Sequence, residues 1–248
     1  ETYTDGRKVT DNTSLEWCLS QYEWDFISLQ EGSSSMIDSC AAEPYFNESK
    51  QYWEPLLDYF IEQFPNARIG WHQAWANQAN EYGREDSNLT VETQTKWAEE
   101  IDSYGQLVTG YYNDPAGKTV VQRINTGRAW QYCREAGYDY LCARLGKTNS
   151  GVAHAGDGYH DGDIGGGQYL NACVWFEILT GQSVVGNPYV PEYKTTSTLS
   201  DTLFGKLHVE KTANGYKLTD DFAAQLQHGP ASLFDKARLL QLCFAPGT

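Results

Sequence analysis

Apolar positions along the chain follow two alternating rhythms. Trp53, Leu56, Leu57, Phe60, Ile61 and Phe64 recur at the spacing of one helix face, and Pro65 stops the run. Trp97, Ile101, Tyr104, Val108 and Tyr111 do the same over about 90–111, which Asn113-Asp114-Pro115 ends. Shorter helices are predicted for Ser14 to Tyr22 and around Ala129 to Arg134. A strongly apolar helix is predicted for Gln168 to Leu179, with Gly181 as its cap. Between them lie brief continuous apolar runs: WDFISLQ (Trp24 to Gln30), ARIGWH (Ala67 to His72) and TVVQRI (Thr119 to Ile124). Short β-prone runs without alternation read as strands buried on both faces.

Strand and helix therefore alternate, which predicts βα units, a parallel sheet and helices on both of its faces. Residues 1–194 form the main α/β unit in this reading. The remainder, 195–248, is a C-terminal extension packed back on it, with a β segment near Gly205 to Glu210 and helices at about 217–227 and 231–243.

Composition narrows the function classes. The net charge of −15 repels phosphate backbones and anionic lipid, so nucleic acid and membrane surfaces are not expected partners. No run approaches the roughly 20 apolar residues of a membrane span, and the opening ETYTDGRKVTDNTS is no leader peptide, which suggests a mature form or a fragment. The chain has 8 Trp and 17 Tyr, a surplus that suits a bulky core or sugar-stacking surfaces. Cys18, Cys40, Cys133, Cys142, Cys173 and Cys243 form no CxxC pair. Their even number permits disulfides, with Cys133 and Cys142 close enough to staple a loop. Asn-x-Ser/Thr sequons start at Asn12, Asn47 and Asn88 and favour an exported protein.

Ligands of open parallel sheets bind beyond the carboxyl ends of the strands. Those ends supply Gln30, Glu31, Gly32, Ser33 and Ser34, then His72, Gln73 and Trp75, then Asn125, Thr126 and Gly127. Polar residues there also serve as caps and turns. The glycine-rich stretch HAGDGYHDGDIGGG, His154 to Gly167, holds Asp157 and His160 three residues apart before the apolar helix. An imidazole oriented by a carboxylate is a general base for ester hydrolysis. The same loop also reads as a metal site built from His154, Asp157, His160, Asp161 and Asp163, or as a purely structural loop.

Four blocks, WDFISLQEGSSSM, WHQAWA, INTGRAW and DGYHDGDIGGGQYLNACVWFEILTG, resemble one branch of the SGNH/GDSL hydrolase superfamily in order and spacing. That exported bacterial branch is labelled only as a domain of unknown function. The resemblance covers about 1–190. It implies a flavodoxin-like three-layer α/β/α sandwich and Ser-His-Asp hydrolysis of O-acetylated carbohydrate, with no cofactor and a secreted or cell-surface setting. His160 corresponds to the general base and Asp157 to its orienter. The superfamily's Gly-(Asp/Asn)-Ser nucleophile block does not precede Trp24, which assigns the serine to an upstream segment of the precursor. The usual oxyanion Asn is replaced by LQEGSS, leaving Gln30, Gly32, Ser33, His72, Gln73 and Trp75 as oxyanion or substrate-binding candidates. The alternative is a non-catalytic glycan-binding or structural protein, for which Trp71, Trp75 and Trp130 would offer stacking faces.

Overall fold

The computed structural model describes residues 2–4, 7–10, 14–32, 41–79, 89–113, 120–143, 160–194 and 199–228. The hairpin β1 (Thr2–Thr4) and β2 (Arg7–Thr10) opens the chain, followed by α1 (Leu15–Leu19), whose N-cap Ser14 accepts from the Trp17 amide at 3.1 Å. Next come β3 (Phe26–Glu31), α2 (Ala42–Gln63), β4 (Arg68–Gln73), α3 (Val91–Tyr112), β5 (Val121–Ile124), α4 (Thr126–Glu135) and α5 (Gly167–Thr180). Helix α2 reaches back well beyond the expected start at Trp53. Pro44 sits in its first turn, where a missing N–H costs nothing. Gly181 ends α5 with φ +68°, as its position predicts.

Strands β3, β4 and β5 form a parallel sheet in that order, flanked by helices, the arrangement of a flavodoxin-like α/β fold. The register pairs Gln30 with His72 and Glu31 with Gln73. Because side chains alternate across a strand, Leu29, Glu31, Trp71, Gln73 and Arg123 share one face, and Phe26, Gln30, His72 and Ile124 share the other. The first face packs on α2 and α3, where Ile27, Leu57, Ile69, Trp97, Ile101, Val108 and Val121 make one core. On the second face Ile124 joins Ala129, Trp130, Leu170, Cys173 and Val174 of α4 and α5 in another.

The second core also takes Leu199, Leu207, Val209, Tyr216, Leu218, Phe222 and Leu226. Here β6 (Glu192–Lys194), β8 (Gly215–Leu218) and β7 (Val209–Lys211) make a small antiparallel sheet, with α6 (Asp201–Phe204) between β6 and β7. The helix expected at 217–227 starts at 220 instead, because 215–218 is committed to β8. Among the described residues no helix is long and apolar enough to cross a membrane. The helix expected at 231–243 lies outside the described residues.

Candidate functional site

At the carboxyl end of β4 the His72 imidazole leaves the sheet on the α4/α5 face. Its Nε2 lies 2.9 Å from Thr126 Oγ1, and the Thr126 hydroxyl donates to the Gln73 carbonyl at 2.6 Å. A hydroxyl has one proton to give. Thr126 therefore accepts from His72, and the ring carries its proton on Nε2, leaving Nδ1 as an acceptor. Burial pushes the His72 pKa down to about 4, against the opposing pull of the Asp161 charge. The imidazole is neutral at pH 7, and Trp175 of α5 packs edge-on against it, with ring centroids 5.2 Å apart.

Asp161 is held on a short tether. Asn171 Nδ2 donates to its Oδ2 at 3.0 Å, and Trp130 Nε1 donates to Asn171 Oδ1 at 2.7 Å. The glycines of this segment allow the approach. A Cβ on Gly162 would stand 2.1 Å from the Ala143 carbonyl oxygen, and one on Gly165 would stand 2.0 Å from that of Tyr140. Instead, the Gly162 and Gly165 amides donate to the Leu141 and Ala143 carbonyls at 2.9 and 2.8 Å. The run of glycines seats the stretch after His160 against 140–143 and carries Asp161 toward the strand ends.

His160 is exposed and directly precedes Asp161. Gln30 is exposed on β3, next to His72 in register and on the same face. Gln30 and His72, with Thr126 and Trp175, lie on the α4/α5 side of the strand ends. Gln73 points to the other side, buried between α3 and α4. Its Nε2 lies 3.4 Å from Asp102 Oδ1, while its Oε1 has no partner. Gly32 follows β3 at the rim of a small cleft of about 10 Å3, room for about one water, whose walls also hold Glu31, Trp71, His72, Gln73, Ala74, Ile101 and Tyr104. Asp157, His154 and Ser33 lie outside the described residues.

Trp71 and Trp130 offer no stacking face to a ligand. Trp71 is 2% exposed and Trp130 is fully buried. Trp75 spends one ring face on Trp130, with centroids 4.3 Å apart and planes 6° apart. Large apolar rings gain more from burial than from waiting at the surface, and here they fill the cores. Cys133 and Cys142 likewise do not bridge; both are buried thiols, with Cys133 in electrostatic reach of Cys173 and Cys142 in reach of Arg134. Among the described residues no group of three or more His, Cys, Asp or Glu is arranged to hold a metal ion.

Sequence reasoning missed the partners of these residues. Thr126 bonds His72 and the Asp161 charge acts on it from far along the chain, and Tyr45 and Tyr104 both donate to Glu31, Tyr104 at 2.6 Å. The position of Thr126 at a strand end was the available signal for the first.

The fold has a solved counterpart. A crystal structure of a DUF4886 family protein from Bacteroides uniformis is similar at 27% identity with a TM-score of 0.52, over 93% of this chain and 71% of that one. No curated protein matches the chain. Residues 3–203 match the family described as Domain of unknown function (DUF4886), and the chain belongs to that family.

Proposed function

We propose that the protein is a serine-type ester hydrolase of the SGNH/GDSL kind that removes acyl groups, O-acetyl first among them, from exported or cell-surface carbohydrate. The observation that supports this reading is the tie of Asp161, the neighbour of His160, to Asn171 at 3.0 Å on α5, the helix whose Trp175 packs edge-on against His72 at the carboxyl end of β4, the edge where ligands of parallel sheets bind.

The nucleophilic serine belongs to a segment upstream of Glu1. His160 takes its hydroxyl proton as the serine oxygen attacks the acyl carbon. The resulting oxyanion is met by the Gln30 side-chain amide and the Gly32 N–H; one such donor contributes about 3 kcal/mol. Collapse breaks the bond to the sugar oxygen, which leaves with the proton returned by His160. Water then repeats the sequence on the acyl-serine. Asp157 holds the imidazole in the required tautomer.

Acetate release from an acetylated oligosaccharide tests the reading, using the polypeptide extended upstream of Glu1. His160→Ala should lower kcat about 10²–10⁴-fold. Turnover unchanged by that substitution would remove His160 from the mechanism. Glycan affinity without turnover would favour a non-catalytic binding protein of the same fold.

A further inference from the structure

The glycine-rich turn that follows His160 is packed tightly against two separate parts of the chain. Toward 141–143 the amides of Gly162 and Gly165 donate to the Leu141 and Ala143 carbonyls. A Cβ on Gly167 would stand 2.5 Å from the Leu141 carbonyl oxygen and 2.8 Å from Trp130 Cζ2. The other neighbour is the helix that starts at 220. A Cβ on Gly166, whose φ is +84°, would stand 2.7 Å from Leu226 Cδ1 and 2.8 Å from Phe222 Cε1. The turn is also closed on itself. The Gly166 amide donates to the Asp163 carbonyl at 3.1 Å, and the Gln168 amide to the Gly162 carbonyl at 3.0 Å.

The same C-terminal helix is tied to the first turn of α5. Gln227 Nε2 donates to Tyr169 Oη at 2.9 Å and to the Asn187 carbonyl at 2.8 Å, and its Oε1 accepts from the Gly186 amide at 3.0 Å. Tyr169 donates in turn to the Tyr189 carbonyl at 2.8 Å. Phe222 packs on Tyr138 and His208, with ring centroids 4.8 and 4.9 Å away. Phe222, Leu226 and Gln227 are all buried, and all lie beyond residue 203, where the match to the family ends. Asn171, which holds Asp161, follows Tyr169 on α5. Close-packed groups transmit a displacement instead of absorbing it, so a shift of this helix reaches the turn at Gly166 and at α5 together.

We infer that Phe222, Leu226 and Gln227 are positioning residues for His160. They hold the turn onto 141–143 and fix the start of α5, and the Gly162–Leu141 bond then fixes the backbone two residues after His160. They act through the turn and not on the reacting atoms. The catalytic consequence rests on the reading of His160 as general base, whereas the positional claim rests on the packing alone.

Amide hydrogen exchange of the full chain, with the His160 ring signals followed by NMR, tests it. Leu226→Ala removes the contact with Gly166 and keeps Gln227. The Gly162 and Gly165 amides should exchange at least about tenfold faster, and the His160 signals should shift. Phe222→Leu is a milder change that should act in the same direction, and it serves where Leu226→Ala does not fold. Val108→Ala in the other core is the control. It should lower the melting temperature, yet leave both amides within about twofold and the His160 signals in place, because local opening need not follow global stability. Equal acceleration in the control, or unchanged exchange and His160 signals in Leu226→Ala and Phe222→Leu, would overturn the inference. In the polypeptide extended upstream of Glu1, Leu226→Ala should lower kcat at least about tenfold with KM within about twofold. Parent turnover that Leu226→Ala leaves unchanged sinks this inference alone. Faster exchange and shifted His160 signals in a polypeptide without turnover sink the hydrolase reading alone.

Discussion

His72 and Thr126 are joined by a 2.9 Å hydrogen bond between the end of β4 and the first residue of α4, and Thr126 passes its own proton to the Gln73 carbonyl. The bond ties strand to helix and selects the ring tautomer together. Thr126→Val keeps the shape and removes both partners. It should cost about 1–3 kcal/mol in denaturant unfolding, since a ring N–H and a carbonyl are left unpaired in a fully buried place. Nitrogen shifts of His72 should report the Nε2–H tautomer in the parent and a mixture in the variant.

The same burial makes stability depend on pH. Above about 6.5 the His72 ring is neutral in both folded and unfolded chains. Between 6.5 and about 4 the unfolded chain takes up a proton that the native protein refuses, so stability falls as pH falls and levels off below 4. The loss from His72 should be on the order of 3 kcal/mol. His208, also pushed down by burial, contributes with the same sign. His72→Gln should flatten the part of the profile that belongs to His72. Denaturation midpoints at pH 4 and pH 7 for parent and variant check this, and parallel profiles would contradict it.

Two glycines should respond in opposite directions to alanine. A Cβ on Gly127 would stand 2.0 Å from the Ala74 carbonyl oxygen, so Gly127→Ala must push α4 from the end of β4 and should cost several kcal/mol, near the ~1–3 kcal/mol of overpacking or beyond it. A Cβ on Gly110, inside α3, meets nothing within 4 Å, and Gly110→Ala should stabilise by about 0.5–1 kcal/mol. Thermal melts of the two variants give the signs.

The thiols should separate by reactivity. Burial pushes Cys133 and Cys173 up to about 12, and Cys142 is fully buried, whereas Cys18 is half-buried on α1. Thiolate is the reacting form. Iodoacetamide at pH 8 should modify Cys18 in the native protein and reach the other three only after unfolding, as read by peptide mass mapping.

The sheet was legible because WDFISLQ, ARIGWH and TVVQRI are short β-prone runs, and no boundary moves by more than two residues, although β3 is exposed at Ser28 and Gln30 and so is not buried on both faces. The opening hairpin was not, since TYT and RKVT show no apolar face. The Asp5-Gly6 pair between two strands was the signal passed over. Leu218, Phe222 and Leu226 fall within the helix expected at 217–227 and are spaced as one helix face. All three are buried in one core, but Leu218 reaches it from β8 and the others from the helix that follows. Periodicity records which residues are buried and not which element buries them.

For the candidate site, the strand-end rule singled out Gln30, Gly32, His72 and Gln73, but the one-residue alternation that sends His72 and Gln73 to opposite faces decides what each meets. Tyr104 was read as an apolar helix position. It is buried, yet its hydroxyl sets the orientation of Glu31. Such pairings join residues far apart in the chain, and no local spacing announces them.

The most direct test of the central claim is the mass of the polypeptide, extended upstream of Glu1, after exposure to a fluorophosphonate, with the modified peptide mapped. The hydrolase account predicts a single phosphonate on one serine preceding Glu1, and much slower labelling in His160→Ala. No adduct, or an adduct whose formation is indifferent to His160, would contradict it.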